Sequence, residues 1–123
     1  MTNIPTEAQE MARLAMYLDM RRFLWCHVPN ESRSKIQWRV AQRRRGVKAG
    51  VPDVLIFGPP PKRGIIPDSG VRGMAIELKR VKGGTVSPDQ KRWLDALQNC
   101  GWHTCIAHGA DDAIREIERV YGR

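Results

Sequence analysis

The chain of 123 residues has few of the features that mark secreted, membrane-spanning or repetitive proteins. Its three cysteines are an odd number with no framework spacing, so we expect reduced thiols in a cytoplasmic protein. No apolar run approaches the roughly 18 residues of a membrane span. Glu7 and Glu10 stand where a secretory signal would carry basic residues and then an apolar run. The length of 123 residues predicts one globular domain over residues 1–123, with enough chain for a hydrophobic core.

Acidic residues are also scarce relative to basic ones. Thirteen Asp and Glu face 21 Lys and Arg, which gives a net charge of +8. An excess of this size in a small domain favours a polyanionic partner, with nucleic acid as the first candidate. A membrane surface ranks second, because no segment pairs a basic face with a strongly apolar one. A basic protein without a dedicated partner is the alternative.

Periodicity and turn residues predict an α/β domain in which helices flank a mixed sheet. Thr6 and Ser87 are expected to cap two helices, and Pro88 occupies the favoured first position of the second. The predicted helices cover residues 6–22, 33–45 (or a basic loop), 88–100 and 111–121. The predicted strands cover residues 23–28, 53–58, 74–80 and 102–107. Residues 59–73 have no periodicity and predict an exposed loop.

The stretch "AIELKR" places two charged residues in a predicted strand. Because alternate residues share a face, Glu77 and Lys79 lie together, opposite Ile76. If the strand that opens with Asp53 pairs with this one, Asp53 and Glu77 come close. Two neighbouring carboxylates repel each other unless a proton or a divalent cation intervenes. The alternative is a solvated ion pair at a strand end.

Three segments carry a family resemblance: "GVKAGVPDVLIFG", "MAIELKRVKGG" and "SPDQKRWLDAL". Together with "TEAQ" and "HVPNESR" near the N-terminus, they resemble the VRR-NUC domain, a virus-type replication-repair nuclease domain of the PD-(D/E)xK superfamily. The likeness runs from Thr6 to the final helix and is closest to stand-alone phage or viral members. It implies a restriction-endonuclease-like fold.

The resemblance also implies an endonuclease that uses Mg²⁺ or Mn²⁺ to hydrolyse DNA. Asp53 and Glu77 would bind the metal with the backbone carbonyl of Leu78. Lys79 would position or activate the attacking water, and Gln90 matches a glutamine near the family's active site. These roles suit phosphodiester hydrolysis, which needs an in-line water and neutralisation of charge at the phosphate.

The first helix is implied to add an acidic residue to the metal site. Glu7 is preferred to Glu10 because it directly follows Thr6, as in the family's "TE" pattern. The resemblance further implies a homodimer that cuts branched DNA such as four-way junctions, in the host cytoplasm if the protein is phage-encoded. The alternatives are a nuclease for linear, flap or single-stranded DNA, and a catalytically silent DNA-binding module.

Several basic and polar residues are candidates for contact with DNA. A run that also includes Arg39 would become a phosphate track in a nuclease, although a solvated face explains it as well. The DNA-binding candidates are His27, Asn30, Arg43, Arg44, Arg45, Lys48 and Lys82. Trp38 lies inside this run, where it would stack on a base or, more simply, pack in a core or a subunit interface.

Two decoys compete with this assignment. Asp68 follows a proline as Asp53 does, but a Ser-Gly turn comes next rather than an apolar strand. A zinc site is not expected from the C-x₂-H-x-C-x₂-H pattern at residues 100–108, because it lacks two well-separated ligand pairs.

Overall fold

The computed structural model describes residues 3–29, 36–65 and 67–123. These ranges contain four helices and four strands, in the order α1-β1-α2-β2-β3-α3-β4-α4. The helices are α1 (Glu7–Met20), α2 (Ile36–Arg44), α3 (Pro88–Asn99) and α4 (Ala110–Tyr121). The strands are β1 (Leu24–His27), β2 (Val54–Gly58), β3 (Met74–Lys79) and β4 (His103–His108). None of the described helices has the length and apolar character needed to cross a membrane.

The strands form one mixed sheet in the order β1-β2-β3-β4. β1 pairs with β2 and β2 with β3 in antiparallel fashion, whereas β3 and β4 are parallel. The parallel pair requires a crossover connection, which α3 provides. The predicted α/β class and mixed sheet are therefore confirmed, and every predicted element is present within a few residues of its expected bounds.

The main core lies on the sheet face covered by α1 and α4. Leu14 and Leu18 from α1 and Ile117 from α4 are fully buried there. They pack against alternate strand residues such as Ile56 and Ile76. Since burial of each large aliphatic side chain contributes about 1.5–3 kcal/mol, this face fixes the position of β3. The opposite face of β3 carries Glu77 and Lys79.

Glu10 ties α1 to the start of α4. The N-cap of α4 is Gly109, which has no side chain to accept hydrogen bonds. The buried Glu10 carboxylate replaces that cap: its Oε1 accepts from the backbone N–H of Ala110 at 3.3 Å and lies 3.2 Å from Nη1 of Arg13. Gly109 is required here, since a Cβ would come within 2.7 Å of Glu10 Oε2. Glu10 thus serves as a cap for α4 and does not line the pockets that contain Asp53.

We expect Glu10→Ala to lower the free energy of unfolding by about 1.5–3 kcal/mol, because a buried charged acceptor is lost and the Ala110 N–H is left unpaired. Glu7→Ala is the matched control on the same helix, with an expected change within about 0.5 kcal/mol because Glu7 is exposed. Urea denaturation of both variants provides the measurement. Equal losses for the two would contradict a capping role for Glu10.

Candidate active site

Asp53 lies where β2 separates from β3. The strand begins at Val54, one residue later than expected, and its pairing with β3 ends at Val54 and Ile76. Beyond that point, Asp53 Oδ2 accepts a hydrogen bond from the backbone N–H of Leu78 at 2.8 Å. The N–H and C=O of one strand residue point to the same edge, so the Leu78 carbonyl also faces Asp53. The Asp53 side chain thus accepts the backbone hydrogen bond that a residue of a longer β2 would otherwise accept.

Glu77 and Lys79 are buried, with relative accessibilities of only 2% and 8%. Lys79 Nζ lies 3.5 Å from Glu77 Oε2. The other carboxyl oxygen, Glu77 Oε1, is buried and has no hydrogen-bond partner among the described residues. A solvated ion pair at a strand end is excluded because both side chains are buried. A buried carboxylate with incomplete pairing is costly, so it takes up a proton or a cation.

Gln90 connects this pair to the start of α3. It is the third residue of the helix and completes a capping box with Ser87: Ser87 Oγ accepts from the Gln90 N–H at 3.1 Å, and Gln90 Oε1 accepts from the Ser87 N–H at 2.8 Å. The same amide oxygen accepts from Lys79 Nζ at 3.3 Å, and Gln90 Nε2 donates to Glu77 Oε2 at 3.2 Å. The cap of the helix therefore also orients both charged side chains.

Gly50 sets the distance between the loop before Asp53 and α3. Its φ is +84°, and a Cβ at this position would lie 2.5 Å from the backbone carbon of Asp89 and 2.7 Å from the Gln90 nitrogen. Any other residue would have to displace the first turn of α3. The glycine thus keeps Asp53 and Gln90 on either side of the same pocket.

The neighbouring acid and burial both change the titration of Glu77. Burial raises the pKa of Glu77 to about 8, and the charge of the nearby Asp53 carboxylate adds to the rise, while Lys79 opposes it. Without a cation, Glu77 is therefore mostly protonated at neutral pH. A divalent cation between the two carboxyl groups would favour the ionised form instead.

The donor set suits a hard divalent cation. Asp53 and Glu77 offer carboxylate oxygens, one of them unpartnered, and the Leu78 carbonyl adds a third oxygen, which are the ligands that Mg²⁺ and Mn²⁺ prefer. Within the described ranges, no three His, Cys, Asp or Glu side chains cluster as a metal site. Glu7 lines the same pocket as Asp53 but does not join such a cluster. An ion held here would keep waters as its remaining ligands.

An open pocket of about 370 Å³ surrounds this constellation. It is lined by four carboxylates and four cationic side chains, so several of the basic residues face a pocket rather than bulk solvent alone. The carboxylates are Glu7, Asp53, Glu77 and Asp89, and the cations are Arg39, Arg43, Lys48 and Lys79.

The other DNA-binding candidates divide into three groups. His27 lies beside the site, with Nδ1 2.8 Å from the Asp53 carbonyl oxygen, so this nitrogen must carry the proton that it donates. Arg44, Arg45 and Lys82 are exposed and do not line the pocket. Asn30 lies outside the described residues. Trp38 is 52% exposed on α2, so the prediction that it packs in the core of this chain is wrong, while stacking on a base and packing in a subunit interface stay predictions.

The decoy residues have local partners of their own. Asp68 Oδ1 accepts from the Gly70 N–H at 2.9 Å in an exposed turn. His103 Nε2 lies 2.7 Å from Glu116 Oε1, and His108 Nδ1 lies 3.1 Å from the Arg80 carbonyl oxygen. Burial raises the pKa of Cys105 to about 12, which keeps its thiol protonated.

Two features of the site were not predicted, although local sequence patterns indicate both. The S-x-x-Q spacing of Ser87 and Gln90 is a capping-box signature and would have identified the double role of Gln90. Arg39 lies four residues before Arg43, a spacing that puts both on one side of a helix, and this would have indicated a shared pocket wall.

Comparison with known proteins agrees with the fold. Residues 5–111 match the VRR-NUC domain family. A solved structure described as a VRR_NUC domain protein superimposes with a TM-score of 0.75 at 22% sequence identity, covering 97% of this chain and 90% of the other. At that identity the superposition demonstrates a shared fold. No curated protein matches the chain.

The raised pKa of Glu77 leads to an expected pH dependence of stability in EDTA. Its pKa is about 8 in the folded chain and near 4.5 in the unfolded one, so the folded state binds the extra proton between these values. The stabilising contribution of protonated Glu77 to the free energy of unfolding is then fully present below pH 4.5 and is lost as the pH rises through 8. We expect the stability of the wild type to fall relative to Glu77→Gln over this window, as measured by urea denaturation at several pH values. A constant difference between the two proteins would contradict the shift.

Proposed function

Because the chain belongs to the VRR-NUC domain family, we propose that it is a metal-dependent endonuclease that hydrolyses phosphodiester bonds in DNA. The observation that carries the proposal is the unpartnered Glu77 oxygen, buried beside Asp53 and Lys79 in a pocket with a basic wall. Two carboxylates and a lysine meet the requirements of phosphoryl chemistry, and the net charge of +8 suits a polyanionic substrate.

Asp53, Glu77 and the Leu78 carbonyl would hold the cation, which we propose to be Mg²⁺ or Mn²⁺. When bound, the cation supplies neutralisation of charge at the phosphate and lowers the pKa of bound water. Lys79 faces the same space and is held by Gln90, so its ammonium group orients the attacking water or binds a phosphate oxygen as a point charge.

Gln90 acts through its neighbours rather than on the substrate. It accepts from Lys79 and donates to Glu77, so it fixes the geometry of both while the capping box holds Gln90 itself. Glu7 and His27 lie at the rim of the site, where they contact the substrate or the waters around the cation. Arg43 and Lys48 extend the pocket as a track for neighbouring phosphates.

Branched DNA, such as a four-way junction, is the proposed substrate. A chain of this size holds one site, and paired cuts across a junction need two sites related by symmetry. A homodimer would provide them. Two exposed apolar residues support such an assembly: Leu24, 69% exposed on edge strand β1, and Phe57, 46% exposed on β2.

We expect the purified protein with Mn²⁺ or Mg²⁺ to cut a four-way junction in preference to flap, single-stranded or linear duplex DNA, and EDTA to abolish the cutting. Asp53→Asn should lose at least about 100-fold in rate while still binding DNA, because it removes a ligand charge. Asp68→Asn is the matched control and should cut normally, since its Oδ1 can still accept from Gly70.

The same panel separates the alternatives. Preferential cutting of flap or linear DNA would replace the branched-DNA proposal while keeping the nuclease. Salt-sensitive binding with no metal-dependent cutting of any substrate would favour a silent DNA-binding module. Equal cutting by Asp53→Asn and the wild type would overturn the assignment of the site.

For the assembly, we expect light scattering to give a solution mass of twice the 14.0 kDa of one chain. Leu24→Lys should shift the protein toward the monomer, because a charge at an apolar interface is costly to desolvate. Met20→Lys is the control, as Met20 is 75% exposed at the end of α1. A monomeric wild type would contradict the dimer, and equal effects of the two variants would exclude β1 as its interface.

A further inference from the structure

Helix α2 contributes the basic wall of the pocket. It spans Ile36–Arg44, and none of its residues is fully buried. Arg39 and Arg43 are four residues apart and therefore lie on one side of the helix, and both line the pocket with Asp53 and Glu77. Because α2 buries so little surface, packing of the helix alone does not explain why both arginines face the pocket.

Arg39 differs from the other basic residues of α2. Its side chain is half-buried, whereas Arg43 and Arg44 are exposed. The Nε atom of Arg39 is buried, and no described residue accepts a hydrogen bond from it. A buried donor without an acceptor is unfavourable in the free protein, and an anion that enters the pocket would satisfy it.

The pocket determines which anion would enter. Glu77 Oε1 lacks a proton or a cation, and Arg39 Nε lacks an acceptor oxygen. A divalent cation would satisfy the first atom, and a phosphate diester bound in the same pocket would satisfy the second, since guanidinium groups bind phosphate oxygens through parallel N–H donors. Four carboxylates line the pocket, but none of them accepts a hydrogen bond from Arg39 Nε.

We propose that Arg39 contacts a non-bridging oxygen of the phosphate that is cleaved, and that it stabilises the charge which develops there. The proposal rests on the nuclease function proposed above and deepens it. It separates Arg39 from Arg43 and Lys48, which contact neighbouring phosphates and contribute to affinity. The distinction has a kinetic signature, because only a contact at the reacting phosphate strengthens in the transition state.

The test uses Arg39→Gln and Arg39→Lys in the full chain, with Arg115→Gln as the control. Arg115 is exposed on α4 and does not line the pocket, so its variant removes the same charge elsewhere. Two quantities are measured: the single-turnover cleavage rate at saturating DNA with Mn²⁺, and the salt dependence of DNA binding in an Asp53→Asn background. Circular dichroism melting checks the fold of each variant.

We expect Arg39→Gln to slow single-turnover cleavage about 100-fold, the loss typical of one transition-state donor. Arg39→Lys should fall between it and the wild type, because lysine keeps the charge but not the fork. The slope of log affinity against log salt should decrease by about 1 for Arg39→Gln, as for loss of one phosphate contact. Arg115→Gln should match the wild type in rate.

A wild-type cleavage rate for Arg39→Gln at saturating DNA would overturn the inference, even if binding were weaker, since Arg39 would then serve affinity alone. If Arg39→Gln does not fold, the Arg39→Lys rate decides in the same way. If the wild type cuts no DNA, the nuclease proposal fails. The salt slope still tests whether Arg39 contacts a phosphate, and an unchanged slope would reject the contact.

Discussion

The central constraint on this site is that the fold holds two carboxyl groups close together, where they repel each other if both are ionised. Glu77 is buried on β3, and Asp53 reaches the same place from the start of β2 because its carboxylate bonds the Leu78 amide. Lys79 neutralises only part of this charge and leaves one Glu77 oxygen unpartnered. A proton or a cation must complete the arrangement, so the free protein is poised between two states: a protonated glutamic acid and an ion-bound carboxylate.

The rest of the fold holds this unfavourable pair in place. The aliphatic core under β3, with Ile76 at its centre, fixes the strand and therefore the direction in which Glu77 points. The capping box of α3 holds Gln90 against the site, and the close approach at Gly50 sets the spacing of the two walls. Burial of apolar side chains on one face of the sheet thus offsets the unfavourable free energy of the two close carboxyl groups on the other face. Such compensation is common at functional sites.

Local patterns predicted most of the fold, and tertiary contacts account for what they missed. The caps at Thr6 and Ser87 carry complete sequence signatures, and both helices begin where expected. Alternation along β3 correctly put Glu77 and Lys79 on one face, but it could not predict that both are buried, because that depends on α3 and on the loop before Asp53. The spacing of Arg39 and Arg43 puts them on one side of α2, but that this side faces the pocket depends on the tertiary position of the helix.

The most direct test of this account is isothermal titration calorimetry of the DNA-free protein with Mn²⁺ at pH 7, repeated in two buffers of different ionisation enthalpy. Because the pKa of Glu77 is about 8 before the ion binds, each ion that binds should release close to one proton, and Glu77→Gln should abolish that release. Binding of Mn²⁺ without proton release, or binding of equal affinity in Glu77→Gln, would contradict the claim that the two carboxyl groups form one cation site.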